Sequence, residues 1–298
     1  MAAGGEIRIG ISGWRYKQWR GKFYPKKLRQ RDELRYAAEN FSTIEINGTF
    51  YSLQPVRSFA HWRAETPEGF VFAVKGSRYI THILRLRDAR TPLATFFAQG
   101  LLALGNKLGP VLWQLPPNFK FDRERLARFF DLLPQDLESA AELAGQRNRR
   151  ILPKSKTYVR VESNRPLRHA LEIRHESFRT LEFIRLLDEY QVALVCADTV
   201  EWPRLMDLTS DFVYCRLHGS EVLYASGYDA KSIAAWARRA VDWAAGREPE
   251  DAELVRDRPG PKRAARDVYV YFDNDAKVRA PADALAMRRK VDRLRLKA

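Results

Sequence analysis

The sequence predicts a closed (β/α)8 barrel, a TIM barrel forming a single domain over residues 1–298, and three observations point to it. Eight short stretches of strand character recur along the chain, most of them separated by a helical segment. Strands alternating with helices pair in parallel, and eight of them over about 250 residues or more is what a closed ring requires. Most of the stretches also run out at polar residues, as barrel strands do where they reach a site-bearing mouth. An open doubly wound sheet is the alternative. Against it, no GxGxxG fingerprint follows the first strand and no Walker A motif occurs.

Taken in order, Ile7–Ile11 alternates and ends at Ser12-Gly13-Trp14, a strand entering a tight loop. The segment Trp14–Pro25 interleaves aromatic rings with cations, a composition that suits stacking on bases or sugars, or a loop whose tryptophans cap the barrel. A helix is expected over Arg31–Asn40. Next comes Thr43-Ile44-Glu45-Ile46-Asn47, where period-two alternation sets Glu45 and Asn47 on the face opposite Ile44 and Ile46. Pro55–Ala64 reads as helix, Phe70–Lys75 as an apolar strand delivering Lys75 to its end, and Arg78–His82 as loop. A helix over Arg90–Leu104 carries Pro92 near its start, where a missing N–H costs nothing. Val111–Leu115 is the fourth strand, with Gln114 as its polar terminus, and Asp122–Leu132 an amphipathic helix.

Residues 137–168 interrupt the rhythm. Leu137–Asn148 extends as helix, but the proline-broken basic run beyond it reads as a surface insertion between strands four and five. The fifth strand, Ala170–His175, sets Glu172 and Arg174 on one face. Leu181–Tyr190 is helical, Val192–Ala197 is an apolar strand ending at Asp198, and Asp211–Gly219 presents Arg216 and His218 together. A helix over Ser232–Gly246, a polar link over 247–263, the strand Val268–Phe272 ending at Asp273-Asn274-Asp275, and a basic amphipathic helix over Pro281–Leu296 complete the chain.

The 298 residues are 45% hydrophobic, enough to bury a full core, and no run approaches the roughly 18 apolar residues of a membrane span. Residues 1–6 lack the pattern of a signal peptide, so a cytoplasmic protein with no membrane partner is expected. Cys196 and Cys215 lie inside apolar strands and read as small buried hydrophobes. The net charge of +15 favours anionic partners, either an anionic small molecule or nucleic acid. Three patches carry most of it: residues 15–35 with nine cations against two acids, 143–168 with eight against one, and 277–298 with eight against two.

The polar strand ends are Glu45, Asn47, Lys75, Gln114, Glu172, Arg174, His175, Asp198, Arg216, His218, Asp273 and Asn274, which a barrel gathers at one mouth. Glu172 two residues before Arg174, and Arg216 two before His218, permit carboxylate–guanidinium pairing that aims each arginine fork at an anion, a phosphate, sulfate or carboxylate. Lys75 joins them, and His218 or His175 with Glu45 or Glu172 would move protons. No cofactor is assigned. His175, His218, Glu45, Glu172 and Asp198 leave a divalent Zn or Mn open, although no HxH or HExxH spacing supports one.

These segments carry a resemblance. Gly10-Ile11-Ser12-Gly13-Trp14 with Tyr16, Trp19 and Phe23-Tyr24-Pro25, then Glu45-Ile46-Asn47 with Thr49-Phe50-Tyr51, Lys75 with Ile80-Thr81-His82, Gln114-Leu115-Pro116-Pro117, Glu172–His175, Cys196–Thr199 and Arg216–Gly219 occur in the order found in the DUF72 (YecE-like) family, which the chain resembles. Three departures stand out: Gly48 where serine is common, Asp273-Asn274 where two asparagines are, and a longer basic insertion. The resemblance implies the barrel and no settled activity. Similarity of that fold to metal-dependent apurinic-site endonucleases and sugar isomerases motivates a nucleic-acid substrate by analogy.

The candidate catalytic residues are therefore Glu45, Glu172, His218 and Asp198. The candidate substrate-binding residues are Trp14, Asn47, Tyr51, Lys75, His82, Gln114, Arg174, His175, Arg216 and Asn274. The expected function is a hydrolase or lyase acting on an anionic, phosphate-bearing substrate at the C-terminal mouth. The alternative is a non-catalytic nucleic-acid-binding protein using the basic patches and the aromatic loop 14–24.

Overall fold

Eight parallel strands hydrogen-bond in chain order and close, the first pairing with the eighth: β1 Ile7–Ser12, β2 Thr43–Ile46, β3 Val71–Lys75, β4 Leu108–Gln114, β5 His169–Glu172, β6 Ala193–Asp198, β7 Phe212–Leu217 and β8 Asp267–Phe272. The computed structural model describes residues 4–257, 260, 262–275 and 277–296. The first three residues of the N-terminal reading, three positions of the 247–263 link, and positions 276, 297 and 298, with the last cation of the C-terminal patch, lie outside these.

Nine α-helical segments wrap the ring among the described residues: α1 Glu33–Asn40, α2 Gly48–Tyr51, α3 Val56–Ala64, α4 Arg90–Ala98, α5 Arg123–Phe130, α6 Leu137–Gly145, α7 Leu181–Tyr190, α8 Ala230–Ala244 and α9 Ala280–Arg295. Side-chain polarity follows from pleating. Ile44, Ile46, Phe72, Val74, Cys196, Cys215 and Val270 pack outward against the helices, and both cysteines are buried and free. Val71, Ala73, Leu112, Ala170, Val195, Ala197, Tyr214, Tyr269 and Tyr271 fill the interior. At the N-terminal end Arg168 pairs with Asp211 and Asp267, each at 2.7 Å, which leaves the C-terminal end as the one with polar groups to spare.

Several boundaries differ from the sequence reading. The helix expected over Arg90–Leu104 stops at Ala98 because Gly100, at φ +133°, turns the chain into a 3-10 segment over Leu101–Lys107. The fourth strand starts earlier, at Leu108, and includes Gly109-Pro110. The stretch after Ser77 is not loop but a π-helical turn, Tyr79–Ile83, which holds His82 near the rim. Residues 199–211, between β6 and β7, form no helix.

The insertion is less independent than its composition suggests. Leu137, Ala140, Leu143 and Ala144 of α6 are buried, and the basic segment beyond runs along α4, with the Asn148 amide donating to Thr95 Oγ1 (3.0 Å) and the Tyr158 amide to the Ala98 carbonyl (3.1 Å). Arg149, Arg150, Lys154, Lys156 and Arg160 are exposed on the helical layer, while Arg165 and Arg168 turn to the N-terminal end of the barrel, Arg165 donating to the Leu108 carbonyl and Arg168 pairing with Asp211 and Asp267.

Candidate functional site

Pleating carries the inward face of each strand up to one layer at the C-terminal mouth: Ser12 on β1, Glu45 on β2, Lys75 on β3, Gln114 on β4, Glu172 on β5, Arg216 on β7, then His218 and Asp273 just past β7 and β8. Arg216 is the hub. Its Nε and Nη2 donate to Glu45 (3.1 and 2.9 Å), its Nη1 to Glu172 (2.7 Å) and its Nη2 to Asp273 (2.8 Å). Glu45 also accepts from Ser12 Oγ (2.8 Å) and the Tyr214 hydroxyl (2.6 Å). Four groups expected to converge, Glu45, Glu172, Arg216 and His218, are therefore brought together, all with no exposed surface.

This geometry corrects the expected role of Arg216. A guanidinium whose donors are taken up by three carboxylates inside the barrel is not open to a substrate anion; it fixes the carboxylates instead. Burial alone would raise the Glu172 and Asp273 carboxyls, but Arg216 overrides it, and both are held well below the usual carboxylate range. They stay ionised. The guanidinium also stands where a cation bound by these carboxylates would sit, and among the described residues no group of three or more His, Cys, Asp or Glu side chains is arranged to hold a metal ion.

His218 sits between two carboxylates, with Nδ1 3.1 Å from Asp273 Oδ2 and Nε2 3.9 Å from Glu172 Oε2. The nearer contact is misaligned, so neither ring nitrogen has a well-formed hydrogen bond. Burial pushes the imidazole below its ordinary value despite Asp273 beside it. A roof covers it: the Trp202 ring lies 5.4 Å away and the Tyr224 ring 5.3 Å, both edge-on. Arg174 completes the roof, stacked 4.0 Å from the Trp202 ring centroid, bonded to Glu172 (2.7 Å) and to the Tyr224 hydroxyl (3.1 Å).

Across the mouth, on the β3–β4 side, the arrangement is different. Lys75 keeps 8% and Gln114 5% of their surface exposed, whereas Glu45, Glu172, Arg216 and His218 keep none and the half-buried Asp273 is tied to Arg216. Among the described residues Lys75 forms no ion pair; its ammonium lies 4.5 Å over the Phe50 ring. Burial, then the neighbouring Arg216, push the ammonium down to about 8, while Glu45, Asp273 and Glu172 resist. Three carboxylates face two guanidiniums in this layer, so the Lys75 charge balances the remaining negative one without touching it. His82, packed edge-on against Phe50 with its Nδ1 2.8 Å from Thr81 Oγ1, is pushed down to about 4 by burial and by Lys75.

Other expected site residues lie elsewhere. Asp198 alternates with the inward Ala197 and so points to the helical layer, where Arg204 (2.9 Å) and Trp236 Nε1 (3.2 Å) bind it. Asn274 likewise alternates with Asp273 and ties Ser226 O (2.9 Å) to Asp283 (2.8 Å). Trp14 is buried against Trp62 at 5.4 Å, and Trp19 and Tyr24 are equally enclosed, so the loop 14–24 is a cap over the core and not a stacking platform. His175 accepts from the Ser177 amide as the cap of a short 3-10 turn. Tyr51 is 70% exposed on the rim, and Asn47 starts α2.

A cavity of about 720 Å³ opens beside the cluster, with Arg174, His175, Asp198, Trp202 and Arg204 in its wall. Arg174 and Trp202 thus separate it from His218. The sequence placed Asp273 at the mouth without a role and gave Ser12, Tyr214, Trp202 and Tyr224 no place in the site. For Asp273 the alternation through Tyr269 and Tyr271 was a usable signal. For the two roof residues, in irregular connections, there was none.

A parallel eight-stranded barrel with an ionic cluster at the C-terminal ends of its strands is the class this geometry defines. The chain belongs to DUF72, described as a protein family of unknown function, whose pattern it matches over residues 8–297. It is 32% identical over 126 residues to the UPF0759 protein YunF of Bacillus subtilis strain 168; the aligned part spans 41% of this chain and 44% of that one, less than half of each. A DUF72 family protein of Thermotoga maritima MSB8 has a similar crystal structure, with a TM-score of 0.70, 23% identity, and coverage of 96% of this chain and 99% of that one. Another, from Enterococcus faecalis V583, aligns with a TM-score of 0.67 at 18% identity, over 96% and 95%. At these identities the two structures speak for the fold alone.

Proposed function

We propose that the chain is an enzyme, a hydrolase or lyase acting on a small anionic substrate that carries a phosphate or carboxylate, at the C-terminal mouth of the barrel. One observation carries this reading: Lys75, a nearly buried ammonium at a strand's C-terminal end with no counter-ion in contact. Burying a charge is costly unless something pairs with it, so a bound anion is the partner this position lacks. Arg174, with Nη1 in none of its bonds to Glu172 and Tyr224, is a second cation at the rim. His218, neutral and short of hydrogen bonds, is the proton-transfer group of this reading, with Asp273 beside it. Glu45 and Glu172, ion-paired to Arg216, position that layer.

The test is calorimetric titration of inorganic phosphate and of glycolate into the wild type and Lys75→Met. Binding at pH 7 that is lost in the variant, and that weakens in the wild type as pH rises through about 8, is the expected result. Equal binding in both proteins, or none in either, would overturn the reading. The nucleic-acid alternative retains one supporting observation, the exposed cations Arg15, Lys17, Arg20, Lys22 and Lys26 along the cap loop. It requires binding to duplex or single-stranded DNA that weakens steeply with salt.

A further inference from the structure

We infer that Lys75 is a carbonyl-reactive amine, and that the substrate class of the mouth is a small anionic aldehyde or ketone held as an imine on its Nζ. This rests on the reading above, since the same mouth admits the substrate, and it narrows that substrate to a carbonyl compound.

Three features of the site argue for it. The first is position. Lys75 ends β3 on the inward face, and it and Gln114 on the adjacent strand are the members of the inner layer that combine residual exposure with freedom from the Arg216 network. A neutral amide beside an amine suits a carbonyl oxygen, which needs a donor as it takes up negative charge.

The second is the balance of charge around the nitrogen. Glu45, Glu172 and Asp273 outnumber Arg216 and Arg174 by one, and among the described residues no carboxylate oxygen lies within 4 Å of Nζ. A carboxylate in contact would hold the amine protonated and block attack; a field of one net negative charge further off stabilises any cation at that nitrogen. An imine formed from an ammonium keeps that cation. The amine lone pair makes the C–N bond, the carbonyl oxygen takes up protons and departs as water, and the positive charge remains on nitrogen as the protonated imine. The sum is one ammonium and one carbonyl compound giving one iminium and one water, with no oxidant or reductant.

The third is desolvation. Phe50 covers the ammonium at 4.5 Å and Arg216 lies behind it, the two environments that free an amine of its proton near neutrality. A lysine on the surface has neither.

The wild-type protein is incubated at pH 7.5 with limiting glyoxylate and cyanoborohydride, then digested and mapped by mass spectrometry for carboxymethyl-lysine. Cyanoborohydride reduces the imine to a stable secondary amine, so each adduct marks a lysine that formed one. With its proton lost near pH 8 instead of above 10, Lys75 is expected to react about a hundredfold faster than exposed lysines such as Lys17 or Lys120. Glycolate, which has no carbonyl, is expected to protect Lys75 and leave the surface lysines unchanged. Labelling spread over surface lysines with Lys75 unmodified would overturn the inference. If phosphate or glycolate still bound under those conditions, the anion reading would stand without it; if neither bound, both would fall.

Discussion

Replacing Arg216 by methionine tests the organisation of the whole mouth. The change removes four hydrogen-bonded contacts to three carboxylates, at 2.7 to 3.1 Å, and keeps much of the side-chain volume. Glu172 retains Arg174, Glu45 retains only Ser12 and Tyr214, and Asp273 retains only the misaligned His218. Breaking one buried pair by removing a partner costs about 3–5 kcal/mol. With two carboxylates left without a cation, the loss at pH 7 is expected to be at least about 5 kcal/mol, against a total stability of roughly 5–15 kcal/mol. The assay is urea unfolding followed by circular dichroism from pH 7 to pH 4. In the wild type Glu172 and Asp273 are held below their ordinary 4.5 and 3.8, so their contribution is present above those values and lost as pH falls below them. In the variant, burial without Arg216 raises the Asp273 carboxyl. The native state then binds more protons than the unfolded one, and stability increases as pH falls toward 5. The two curves should therefore converge on acidification. A loss below about 1 kcal/mol, or parallel pH curves, would refute the hub.

Lys75→Met should stabilise the protein at pH 7. A drop from 10.5 to about 8 corresponds to about 3 kcal/mol, less the contact with Phe50, and since the unfolded lysine binds more protons between those values, wild-type stability should rise over that range while the variant's does not. A variant less stable than wild type in urea would count against a costly buried charge with no counter-ion in contact. Asn274→Ala should cost about 1–3 kcal/mol through its lost bonds to Ser226 and Asp283, with phosphate binding unchanged by calorimetry. Trp19→Ala, in a fully buried ring of the cap loop, should cost about 3–5 kcal/mol in urea. A near-neutral effect would return that loop to the surface.

What the sequence could disclose was periodicity, and what it could not was occupancy. Alternation alone puts Glu45 opposite Ile44 and Ile46, and Glu172 opposite Leu171 and Ile173, because a pleat leaves each side chain only two directions. The same rule, carried through Tyr269 and Tyr271, selects Asp273 over Asn274. It fails at Asp198 for a physical reason: β6 is apolar on both faces, so no residue in it marks which way the terminal carboxylate turns. Closure of the ring then decides a matter that no single strand contains. Arg216 and Lys75 look alike on paper, each a cation near the end of an apolar run, yet β2, β5 and the end of β8 bring Glu45, Glu172 and Asp273 to Arg216, while among the described residues α2 and β4 bring Lys75 the Phe50 ring and an amide. A cation surrounded by carboxylates is architecture. One left without a partner in the same layer, at a cost the fold does not recover by itself, is where a ligand has to be sought.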